Sequence, residues 1–128
     1  MGRKKIKGGN NMANDYHEPT SEMSQKDRDI VRAIVSLKEE IDAVDCYHQR
    51  VATSSNEELN RLLLHNQHEE MEHAIMLLEW LRRNQDGWDE QMRTYLFTNK
   101  DLTKVEEDAE SGESSKASSD EDLGIGEL

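Results

Sequence analysis

The chain has 128 residues, room for one small domain, and its charged and apolar residues each make up 34%, so any core must be small. The formal net charge is -12, about +1 in residues 1–23, -5 in 24–100 and -8 in 101–128; this argues against nucleic acid, because phosphate contacts need clustered Lys and Arg. One cysteine, Cys46, excludes an intrachain disulfide framework and fits a reducing interior, while no apolar run is long enough to span a membrane and residues 1–23 lack the apolar segment of a secretory signal.

Residues 1–23 read as a disordered lead, opening on the basic run M-G-R-K-K-I-K-G-G-N-N, with Met12 as an alternative start. Periodicity begins near Gln25. Ile30, Ile34, Leu37, Ile41, Val44, Tyr47 and Val51 recur at steps of three and four, which predicts a helix over residues 25–52. Ser24 is placed to cap it, with Asp27 at the third helical position. T-S-S-N at 53–56 is a turn. Ser55 and Glu58 have the spacing of a capping box for a second helix over 56–84, whose last turn carries Arg82 and Arg83. Two long helices with a short link predict an antiparallel hairpin. A short third helix is expected over 88–97, with Trp88, Met92 and Tyr95 on one side. Residues 24–98 thus form one helical domain. Residues 99–122 read as a disordered acidic linker, before a terminal L-G-I-G-E-L at 123–128. That end is either a tail with stray hydrophobes or an extended docking peptide.

The chemistry concentrates in H-N-Q-H-E-E-M-E-H at 65–73. The apolar stripe of the second helix, through Leu59, Leu63, Leu77 and Leu81, continues onto Asn66, Glu70 and His73. A carboxylate and an imidazole on a core face need a neutralising partner. Glu70 and His73 stand at i, i+3, the spacing of one half of a di-iron carboxylate site. Glu40 borders the stripe of the first helix and supplies the further carboxylate. The bland alternative for Glu70 and His73 is a solvated helix face. A di-iron bundle takes a Glu from each of two helices and a Glu-x-x-His pair from each of the other two. One chain holds half that set, and a two-fold axis would double it to four carboxylates and two imidazoles. The fold class expected is therefore all-α: a two-helix hairpin plus a short C-terminal helix, half of a ferritin-like four-helix bundle completed by dimerisation. His65 and His68 sit beside the stripe and are set aside as ligands. His68 and His73 are five apart, which excludes an H-E-x-x-H zinc site. Cys46 is expected to be a packed thiol. Ligand types alone do not separate iron from manganese or zinc.

These residues resemble the encapsulated ferritins. The resemblance rests on A-I-V-S-L-K-E-E-I-D-A-V-D at 33–45, H-N-Q-H-E-E-M-E-H-A at 65–74, L-E-W-L-R-R-N at 78–84 and R-T-Y-L-F-T at 93–98. The terminal peptide Leu123, Gly124, Ile125, Gly126, Glu127, Leu128 is similar to those that direct cargo into encapsulin shells. The resemblance implies a homodimer within a ring-shaped decamer and a ferroxidase centre across the dimer interface, holding two iron ions between paired Glu40, Glu70 and His73. It implies a secondary, more exposed metal position at Glu39 and Asp42, and places Tyr47 near the centre. Asp42 stands where relatives carry Glu, and Cys46 where they carry Trp. The implied function is oxidation of Fe(II) to Fe(III), supplying mineral stored inside a cytoplasmic encapsulin nanocompartment. The alternatives are a non-catalytic metal-binding cargo or adaptor and a helical partner-binding domain. No nucleic acid or membrane partner is expected.

Overall fold

The computed structural model describes residues 16–112. A 3-10 turn at Thr20–Glu22 precedes four helices: α1 (Gln25–Thr53), α2 (Glu57–Asn84), α3 (Trp88–Tyr95) and α4 (Leu102–Ser111). No strand occurs among the described residues. No helix is long and apolar enough to cross a membrane. The chain divides between Gln85 and Asp86 into two compact units, inside the 24–98 stretch that the sequence reads as one domain.

The first unit is the α1–α2 hairpin. Ser24 caps α1 as expected: its hydroxyl accepts the Asp27 N–H at 3.0 Å. No Pro or Gly interrupts the 29-residue helix, about 43 Å at 1.5 Å per residue. The second cap differs from the expectation. Asn56, not Ser55, precedes α2, and its side-chain oxygen accepts the Leu59 N–H at 2.8 Å. Ser55 lies one residue too early to reach that amide. Leu59, not Glu58, is thus three residues past the cap, so no reciprocal carboxylate bond forms. The link is tied by Asn60, whose side-chain amide donates to the Ser54 carbonyl at 2.8 Å.

Two packed helices bury only a seam. Among the described residues the buried apolar side chains are Ala33, Val35, Ala74 and Leu81, with Leu81 fully enclosed. Ile30, Ile34, Leu37, Val44, Tyr47, Val51, Leu63 and Leu77 are half-buried, as the stripes predict. Ile41 and Leu59 break the prediction: both are exposed, at 55% and 44%. Helical period selects an arc, and a single neighbouring helix covers less than that arc. Met71, Ile75, Met76 and Trp80 are also left exposed on α2. A hairpin with so little closed core falls short of what small scaffolds need to stand alone.

α2 ends where Gln85 donates its N–H to the Leu81 carbonyl. In the second unit Gly87 adopts φ 108°, open to glycine, and starts α3. That helix stops at Tyr95, two residues short of the expected end. Leu96 is extended and Phe97 has φ 61°, a left-handed backbone that cannot continue a right-handed helix. Leu102–Ser111 is helical where the sequence suggests an unstructured linker from residue 99. Asp101 caps α4, accepting the Thr103 N–H at 2.9 Å, and no Gly or Pro intervenes before Gly112. Composition pointed to a solvated segment, and local capping overrides it. The expected lead before residue 16 and linker beyond residue 112 lie outside the described residues.

Candidate metal centre

Glu40 comes from α1; Glu70 and His73 come from α2, one turn apart on the same side. The antiparallel hairpin brings them together. One ligand atom from each lies within 4.8 Å of the others. His73 Nδ1 stands 3.5 Å from Glu40 Oε1 and 3.5 Å from Glu70 Oε1. The two carboxylate side chains are 25% and 26% exposed, and the imidazole 46%. The group is therefore at the edge of the seam, half-sunk and open on one side.

Its electrostatics favour a cation. The Glu40 carboxyl is pushed above the ordinary glutamate value of 4.5, first by sharing a hydrogen bond with Glu70, then by partial burial and by the Glu70 charge. His73 pulls in the opposite direction and loses. Two carboxylates held this close need either a proton between them or a positive ion. Metal–oxygen and metal–nitrogen bonds of about 2.0–2.2 Å put donors up to ~4.4 Å apart around one ion. The observed spread of 4.8 Å exceeds that by about half an ångström. Two hard oxygens and a borderline nitrogen suit divalent iron, manganese or zinc. The residues present fit a metal ion.

The other candidate carboxylates, the cysteine and the remaining candidate histidines lie outside this group. Glu39 and Asp42 are exposed on α1 and not drawn to the cluster. Tyr47 is half-buried, with the Arg50 guanidinium 5.4 Å from its ring centre, a cation–π contact. Cys46 is exposed, against the expectation of a packed thiol, because the hairpin seam passes on another side of α1. His65 pairs with Glu69 one turn along α2, at 3.6 Å, and both it and His68 are exposed. The terminal peptide, residues 123–128, lies outside the described residues.

Sequence reasoning passed over Gln67. It is 5% exposed, the buried polar side chain of the described residues. Its side-chain amide donates across the hairpin to the Val44 carbonyl at 3.0 Å. The available signal was its place three residues before Glu70 and four after Leu63, on the same side of α2.

Comparison with known proteins adds a family. The EncFtn-like family matches residues 15–99. A "Ferritin-like protein" of Thermotoga maritima is 58% identical over 117 residues, 91% of this chain and 100% of that protein. An "Encapsulated ferritin-like protein" of Rhodospirillum rubrum is 46% identical over 124 residues, 91% of this chain and 89% of that protein. A crystal structure of a protein from Nitrosomonas europaea shares 53% identity with a TM-score of 0.65, covering 68% of this chain and 96% of that one.

Proposed function

The chain belongs to the EncFtn-like family, and from that membership together with the Glu40–Glu70–His73 cluster we propose that it is a ferroxidase serving iron storage inside an encapsulin shell. The observation that carries the reading is the convergence of two carboxylates and one imidazole, from two helices, within 4.8 Å. One chain offers too few donors to enclose two ions. A second copy about a two-fold axis doubles the set to the four carboxylates and two imidazoles of di-iron bundles. The same copy covers apolar side chains the hairpin leaves exposed, among them Ile41, Met71 and Ile75. Such dimers build the ring-shaped decamer of the encapsulated ferritins.

Ferrous iron is the substrate. Four carboxylates match the charge of two Fe(II) ions, which a bundle interior does not tolerate bare. Glu70 chelates or bridges, Glu40 closes the site from the other helix, and His73 adds a neutral nitrogen donor. Each of the two ions gives one electron to dioxygen, which takes up two protons from solvent and leaves as hydrogen peroxide, and carboxylates shift denticity as the charge on iron rises. The ferric product leaves for the shell lumen. Glu39 and Asp42, exposed on α1, supply a secondary position on the route inward. L-G-I-G-E-L at 123–128 docks the protein to the shell.

The test is iron oxidation followed by absorbance and oxygen uptake. Glu70→Ala and His73→Ala should lose oxidation, and unchanged rates would overturn the assignment. Stoichiometric iron binding without oxygen uptake by the parent protein would leave a non-catalytic metal-binding cargo. Deleting residues 123–128 should abolish co-purification with a shell protein and leave oxidation intact; continued encapsulation refutes the docking role.

A further inference from the structure

We propose that Gln67 is a positioning residue: its hydrogen bond to the Val44 carbonyl sets the register of α1 against α2 that brings Glu40 onto Glu70 and His73. The inference rests on the metal reading above and assigns a role to a residue outside the ligand set.

The geometry is simple. Val44 lies four residues beyond Glu40 on α1, and Gln67 three residues before Glu70 on α2. Because the helices run antiparallel, both steps go the same way, by about 6 and 4.5 Å. The hydrogen bond and the ligand cluster are therefore adjacent rungs of one contact. Apolar packing in the seam is non-directional and tolerates sliding or rotation of one helix on the other. A directional bond from a side chain that is 5% exposed does not. The Val44 carbonyl lies inside α1 and already accepts a helical bond, so Gln67 uses its second lone pair. Little stability depends on it. A lone buried polar group in a helical seam specifies register more than it stabilises. The cluster needs that register, because a slip of one residue moves a ligand by about 1.5 Å along the helix and about 100° around it.

Gln67→Met separates the two roles. It keeps length and helix propensity and removes the donor. Cobalt(II) is titrated into full-length protein, and its visible absorption reports both affinity and ligand geometry. Gln67→Met should bind Co(II) at least about tenfold more weakly, with an altered spectrum, while its melting temperature in chelator equals or exceeds the parent's. Leu81→Val, a core change about 12 Å along α2 from His73, should lower the melting temperature and keep the parental spectrum and affinity. Parental Co(II) binding by Gln67→Met overturns the proposal. So does a loss that merely tracks stability in both variants, or a Gln67→Met chain that does not fold. If the parent itself binds no Co(II), the metal reading fails and this inference with it.

Discussion

Replacing Glu40 by Gln should have opposite effects with and without metal. In the metal-free protein the Glu40 and Glu70 oxygens lie within 4.8 Å. Two unit charges at that distance repel by ~1 kcal/mol at the dielectric of water and ~3.5 kcal/mol at an effective constant of 20. The Glu40 side chain is 25% exposed and the site is open on one side, and His73 offsets part of the repulsion. The lower end, about 1 kcal/mol, is the better figure. Glu40→Gln should therefore stabilise the metal-free protein by about 1 kcal/mol at pH 7, a rise of a few degrees in Tm for a domain of this size. The sign follows from linkage. A carboxyl raised in the folded state is most favourable below 4.5, and stability falls as pH climbs from there through the raised value. The parent should show that decline in chelator, and the variant should not. With Fe(II) under nitrogen, or with Co(II), the order reverses, because the variant loses an anionic ligand. Thermal unfolding at fixed protein concentration, with chelator and with metal, reads both arms. A Glu40→Gln protein that is less stable than the parent in chelator would show that the two carboxylates do not repel, and the cation-seeking site with them.

Three further outcomes follow from the fold. Leu81→Ala, at a fully enclosed position, should cost about 2–5 kcal/mol in urea unfolding, and a loss under about 1 kcal/mol would mean the seam collapses around the gap. Asn56→Ala should cost about 1 kcal/mol while Ser55→Ala changes little, the reverse of what the S-x-x-E pattern suggests, measured by thermal unfolding. Glu79 is held at about 2 by bonds from Arg82 and Arg83 at 2.8 Å. Its contribution is present above 4.5 and fades as pH falls toward 2. The stability difference between parent and Glu79→Gln should shrink steadily over that range, and a difference at pH 2 as large as that at pH 7 refutes the pairing.

Much of this protein is legible in one dimension. Helix period, caps and breakers act over three to five residues, so Ser24, the 53–56 turn and the basic last turn at Arg82 and Arg83 announce α1 and α2 directly. The same locality marks Glu70 and His73 as one face, and Glu40 as the carboxylate bordering the facing stripe. Other features depend on how two helices are rotated and slid against each other. That relation left Ile41, Leu59 and Cys46 outside the seam and enclosed Gln67. It also set the 4.8 Å spread of Glu40, Glu70 and His73, which no spacing within either helix contains. Where a helix stops is decided by single backbone angles, as at Phe97, and α4 by one cap at Asp101 in a segment whose composition points elsewhere. Sequence determines which residues share a face of one helix, because that is a property of a period. Only tertiary structure decides which face meets which, because that is a property of a pair.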